Sequence, residues 1–188
     1  LFRSPESRSD FFQTPNIEKL AASGMRFSQA YAHCNCSPSR ASLQTGRSPA
    51  ALHFTDIAER NSGPMYEGNK LIPPRHVSAL SKTDATIPQL LKASNSAYRA
   101  AHFGKWHLAG GGPSNYGYDA SDGPTGNGAG NRAENLPDDP KKIFSVTRRA
   151  IEFMQAEAKA GHPFYLQVSH YATHEADQSR AATQEKFR

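Results

Sequence analysis

Three short, mostly apolar runs in this chain each break off into a knot of polar, reactive side chains. Residues 25–32 (MRFSQAYA) lead to 36–40, residues 97–103 lead to 105–107, and residues 163–169 (PFYLQVS) lead to 170–174. The first run alternates apolar and polar residues and predicts an extended segment; the other two predict short strands. Between them lie stretches with helical punctuation. Thr14 and Pro15 suit a helix start, with Ile17, Leu20 and Ala21 on one face and Gly24 as the stop. Ser37 as cap and Pro38 in the first turn predict a second helix that Gly46 closes. Ile87, Leu90 and Leu91 mark a third helix over 86–93. A fourth, over about 139–160, carries Ile143, Thr147, Ala150, Ile151, Met154 and Ala158 on one side and ends at Gly161.

Strands alternating with helices argue for an α/β layer fold, in which ligands collect beyond the carboxyl ends of the strands. All three polar knots fall at such ends. Residues 48–82 and 110–140 hold Pro, Gly, Asn and Asp without a sustained period and read as long loops, the second as a surface excursion. The length of 188 residues suits one domain with a real core. No apolar run approaches the ~20 residues of a membrane span, and the first ten residues lack the apolar centre of a signal peptide. The formal charge of +5 comes from Lys and Arg spread along the chain. With no dense basic run and no interleaved aromatic platform, it points away from nucleic acid and leaves room for an anionic substrate. The two cysteines, Cys34 and Cys36, are too close for an unstrained bridge.

The segment 36–47 reads CSPSRASLQTGR. A purely structural reading treats Cys36 as a small buried hydrophobe and Ser37-Pro38 as a helix start, but leaves Arg40, Thr45 and Arg47 unexplained. The segment resembles the first signature of the formylglycine-dependent sulfatases, Cys-x-Pro-Ser-Arg followed by Thr-Gly-Arg. Gln44 stands where that family usually has an aliphatic residue. A second block, YRAAHFGKWHLAG over 98–110, resembles the sulfatase Gly-Lys-Trp-His-Leu-Gly segment. Gly104 to Leu108 match as a unit, while Ala97, Ala100 and Ala109 depart from the usual Gly, Thr and Gly. The stretch 14–20 (TPNIEKL) is similar to the family's Thr-Pro-Asn-Ile-Asp-x-Leu. Residues 163–174 are similar to the strand that ends in a sulfate-contacting histidine, with Thr173 where Pro is common.

The resemblance implies a mixed, mostly parallel sheet between helices, as in the alkaline phosphatase superfamily, and a partial catalytic domain spanning 1–188. It implies a sulfuric ester hydrolase acting on a sulfated carbohydrate or aryl sulfate. Cys36 is implied to be oxidised to formylglycine by a formylglycine-generating enzyme, giving a hydrated aldehyde as nucleophile. Arg40 is implied to steady that oxygen, Lys105 to contact it and the sulfate, His107 to assist elimination, and His174 to bind sulfate or protonate the leaving oxygen. Calcium is implied as the cofactor, held by an Asp-Asp pair, a distant Asp-Asn pair and the converted Cys36. Neither pair is present: Asp10 is the sole Asp before Thr14, and Asp138-Asp139 reads as helix N-terminal charge. The expectation is that the missing strand and ligands flank this stretch in a longer protein, in a periplasmic, secreted or lysosome-like compartment. The competing readings are an inactive relative that only binds anions, and a thiolate metal site on His33, Cys34 and Cys36.

Overall fold

The computed structural model describes residues 13–58, 70, 75–131, 136–175 and 177–188; Asp10 lies outside them. The chain divides into two compact units, 1–32 and 33–188. In the first, helix α1 (Pro15–Ala22) starts on Pro15 as its sequence suggests, but none of its side chains is buried. The extended segment expected over 25–32 pairs into no strand: this stretch is irregular and exposed. Alternation alone does not make a strand when no neighbouring strand supplies hydrogen bonds.

The second unit is built on a parallel sheet ordered β2-β1-β3: β1 (Arg99–Gly104) lies at the centre, with β2 (Ala120–Ser121) and β3 (Phe164–Ser169) on either side. Register pairs Arg99 with Phe164 and Gly104 with Ser169, so the two long strands end together. Both faces of β1 are covered, which is why Ala100 to Gly104 are all buried. Ala101 and Phe103 face helix α5 (Ile143–Ala160), packing with Val146, Ala150, Phe153 and Leu166. Ala100 and His102 face the opposite layer, where Phe54, Trp106, Leu108, Tyr116 and Tyr118 gather around Ala41 of helix α2 (Cys36–Thr45). Phe54, Trp106 and Leu108 are essentially fully buried, each stabilising by about 1.5–3 kcal/mol.

Local chemistry sets the remaining boundaries. Helix α3 (Ile87–Ser94) begins on a capping box in which Thr86 and Gln89 answer each other's backbone N–H groups. Helix α5 is capped by Asp139, whose two carboxylate oxygens accept the N–H groups of Phe144 and Ser145 at 2.7 and 3.2 Å. Burial opposes ionisation of that carboxyl, but the hydrogen bonds from Ser145 and Phe144 prevail and hold it below the usual carboxylate range. This agrees with reading Asp139 as helix-start charge. Of the expected stripe Ala150 is buried, but Ile151 and Met154 are exposed, and Val146 and Phe153 complete the packed face of α5 instead.

Residues 110–140 are not the surface excursion their composition suggests. They contain a 3-10 turn (Pro113–Tyr116), strand β2 and the short helix α4 (Asn127–Asn131), and they bury Tyr116 and Tyr118. Helix α6 (Ala181–Lys186) closes the chain. Among the described residues no helix is long and apolar enough to cross a membrane.

Candidate active site

The polar knots at 36–40 and 105–107 meet beyond the carboxyl end of β1. The chain leaves β1 through Gly104 at φ +94, where an added Cβ would lie 2.0 Å from the Ser169 carbonyl oxygen. Glycine is therefore required by both conformation and space. Lys105 N–H donates to that same Ser169 carbonyl at 2.7 Å, which fixes the turn to the end of β3. Lys105 and His107 are both buried, and His107 sits in the left-handed region at φ +58. A non-glycine residue there costs about 1 kcal/mol, so its neighbours must hold it.

Helix α2 supplies the other half. It starts at Cys36, two residues earlier than the sequence suggests, with Asn35 at the cap in a positive-φ conformation. Ser37 does not act as the cap. Its hydroxyl is buried and donates to the His107 carbonyl at 2.8 Å, while accepting the Ala58 N–H at 3.2 Å. The Cys36 Sγ lies 3.1 Å from His107 Nδ1. One turn on, the Arg40 guanidinium donates to the Lys105 carbonyl. Burial draws the Arg40 guanidinium below its ordinary range, while Cys36 and Tyr171 act in the opposite sense. The helix ends as expected, on Gly46 at φ +68. Arg47 then pairs with Asp84 at 2.6 Å and donates to the Ala51 carbonyl, so the last part of the signature braces the loop behind the helix.

Cys36 thus meets the His107 ring, and Arg40 meets the backbone carbonyl of Lys105, two residues before His107 on the same turn. His174 stands on the wall of a cleft of about 380 Å3, with Lys141, Thr173, Asp177, Gln178 and Ser179 among its lining residues. Its Nδ1 lies 3.1 Å from the Glu175 carbonyl oxygen. From the same segment Tyr171 is buried, and its phenol is close enough to Arg40 to feel that charge.

Under α2 runs a buried polar chain. Gln44 donates to Gln167 Oε1 at 2.7 Å and accepts from the Tyr118 hydroxyl at 2.9 Å. Gln167 donates to Ser169 Oγ, which lies 3.3 Å from His102 Nε2. This chain accounts for the unusual Gln44: a side chain facing Gln167 and Tyr118 needs polar atoms, since an unmatched buried amide is costly. Burial first, and then the Arg40 charge, push His102 down to about 4, so the ring is neutral near pH 7.

The arrangement gathers a thiol-bearing residue on the first turn of a helix, a buried histidine on its sulfur, and two cationic side chains. A sulfatase family model matches residues 7–188. The chain belongs to the sulfatase family. It is 37% identical to pig (Sus scrofa) N-acetylgalactosamine-6-sulfatase over 97 residues, 51% of this chain and 17% of that protein. It is also 37% identical to human (Homo sapiens) arylsulfatase A over 96 residues, 50% of this chain and 16% of that one. The crystal structure of Ps i-CgsB superposes with a TM-score of 0.64 at 25% identity, covering 93% of this chain and 43% of that one. The matched stretches are therefore about a sixth of the length of these curated relatives.

The aspartate and asparagine ligands that the resemblance implies for calcium beside position 36 are not among the described residues. Among the described residues no group of three or more His, Cys, Asp or Glu side chains converges to hold a metal ion. The same observation disfavours a thiolate metal site on His33, Cys34 and Cys36; Cys34 is exposed, and the Cys36 sulfur faces His107. Sequence reasoning missed Ser37, Tyr171, Asp122 and Thr125 as parts of the site. Asp122 and Thr125 bracket an Asp-Gly-Pro-Thr turn signal that was absorbed into a loop assignment.

Proposed function

We propose that this sulfatase-family chain carries the nucleophile end of a sulfuric ester hydrolase, with Cys36 as the precursor of formylglycine. The observation that supports it is the 3.1 Å approach of Cys36 Sγ to His107 Nδ1, on a helix start that also presents Arg40. Cysteine fits the modification there: the residue is half-buried, its side chain faces a histidine, and its backbone begins a helix. Once converted and hydrated, position 36 supplies an oxygen nucleophile for sulfur and a second hydroxyl whose loss of a proton drives sulfate off again.

The chain's own residues would do the rest. The first turn of α2 offers free N–H groups and the positive end of its dipole to an anion. Arg40 holds the Lys105 carbonyl and keeps its positive charge beside position 36. Lys105 adds a second buried cation. Fixed charges of this kind, aimed at charge that moves during reaction, are usually the largest catalytic contribution. The His107 ring, within hydrogen-bond reach of position 36, is placed to take a proton from it. His174 is proposed to meet the sulfate or the leaving oxygen from its cleft.

The proposed substrate is a sulfated sugar, in keeping with the relative named for N-acetylgalactosamine 6-sulfate. The test is to produce the full-length protein with a formylglycine-generating enzyme and measure release of inorganic sulfate from sulfated N-acetylgalactosamine and from a chromogenic aryl sulfate. Turnover that Cys36→Ala abolishes supports the reading. Binding of these esters with no release of sulfate would instead favour an inactive, anion-binding relative.

A further inference from the structure

The turn that carries Lys105 and His107 is held by a segment that no sequence motif marks. Four consecutive backbone N–H groups, from Gly104 to His107, each find a partner elsewhere in the fold. Gly104 donates to the Asp122 carboxylate at 2.8 Å and Lys105 to the Ser169 carbonyl at 2.7 Å. Trp106 donates to the Thr125 hydroxyl at 3.0 Å and His107 to the Thr125 carbonyl at 2.8 Å. The Thr125 hydroxyl in turn donates to the Gly104 carbonyl. One residue therefore grips the turn at its first, third and fourth positions.

Thr125 is itself held. Its amide donates to the Gly123 carbonyl at 2.8 Å. Asp122, three residues before it, is locked by Arg149 of α5. On the far side of the turn, Ser37 holds the His107 carbonyl. With its amide tied to Thr125 and its carbonyl tied to Ser37, the left-handed backbone of His107 has one orientation, and that orientation points Nδ1 at Cys36.

We propose that Thr125 is a positioning residue of this site, its hydroxyl and carbonyl setting the direction of the His107 ring toward position 36. The inference rests on reading Cys36 and His107 as the reacting pair, and its test needs no sulfate turnover. Thr125→Val keeps the shape and removes both hydroxyl bonds; Thr125→Ser keeps the hydroxyl. Both are made in full-length, unconverted protein carrying Cys34→Ser, and alkylation of the Cys36 thiol by iodoacetamide is followed at pH 7. A histidine beside a thiol assists its reaction, so His107→Ala is expected to slow alkylation about tenfold. Thr125→Val should slow it nearly as much, and Thr125→Ser should restore it.

A rate in Thr125→Val equal to that of the parent, where His107→Ala is slow, overturns the proposal. If His107→Ala leaves the rate unchanged, the Cys36–His107 pairing fails instead. Amide hydrogen exchange in the unsubstituted protein then decides Thr125 separately, and also serves if the valine variant does not fold. Protection of the Trp106 and His107 amides upholds the grip, and exchange at the rate of an open loop refutes it.

Discussion

Cys36 and His107, 71 residues apart in sequence, meet with sulfur and ring nitrogen 3.1 Å apart. Neither element could arrange this alone. Cys36 is fixed by the start of α2, and His107 by a turn tied to β3 through Ser169 and to α2 through Ser37. A thiol, or the aldehyde hydrate that replaces it, therefore has a proton acceptor beside it in a largely buried place.

His107→Ala is expected to lower kcat of the matured enzyme by about 10²–10⁴-fold, the usual range for a lost general acid–base group. Its effect on KM should be much smaller, because the imidazole is assigned to proton transfer and the cations to anion binding. Steady-state kinetics on an aryl sulfate separates the two. A loss confined to KM would assign His107 to binding.

Gln44→Leu restores the side-chain type usual for the family, yet it should destabilise this chain. Leucine leaves Gln167 without the amide that reaches it at 2.7 Å and removes the nearer of the two acceptors of the Tyr118 hydroxyl, at 2.9 Å, leaving Gln167 Oε1 at 3.1 Å. The expected loss is about 1–3 kcal/mol. Adding Gln167→Leu should not recover it, because the buried Tyr118 hydroxyl then loses both of its acceptors. A double-mutant cycle from urea denaturation measures the coupling. Independent, additive losses would mean the buried chain does not act as a unit.

His102 makes stability depend on pH in a defined window. Its ring titrates near the ordinary histidine value of 6.5 when unfolded and at about 4 when folded. Between those values the unfolded chain binds more protons, so stability falls as pH falls; above about 6.5 the ring is neutral in both states and contributes no slope. The full effect, reached below pH 4, is on the order of 3 kcal/mol. His102→Gln should flatten denaturation midpoints across this window, and an unchanged slope would place the titrating group elsewhere.

Much of the fold was legible because local chemistry and tertiary use agree. Gly46 and Gly161 stop helices as their type suggests, and α3, β1 and β3 lie close to their expected positions. The failures arose where tertiary partners decide. Ser37 has the composition of a cap but is drawn to the His107 carbonyl. The helical period of α5 admits more than one apolar stripe, and only contact with Ala101 and Phe103 selects Val146, Ala150 and Phe153. Residues 110–140 look like solvent-loving loop because Gly and Asn dominate, yet Asp122 and Thr125 bind backbone that sequence inspection cannot see. Within the site, Cys36, Arg40, Lys105 and His107 were legible as motif residues. Thr125 was not, because all three of its bonds to the turn are made to backbone atoms, which carry no sequence signature.

The most direct measurement is peptide mass spectrometry of residue 36 after the protein is produced together with a formylglycine-generating enzyme. Conversion of the thiol to an aldehyde appears as the corresponding loss of mass on the peptide containing Cys36, with Cys34 unchanged. That result is predicted. A peptide in which Cys36 remains a thiol, while a known sulfatase made in the same cells is converted, would contradict it.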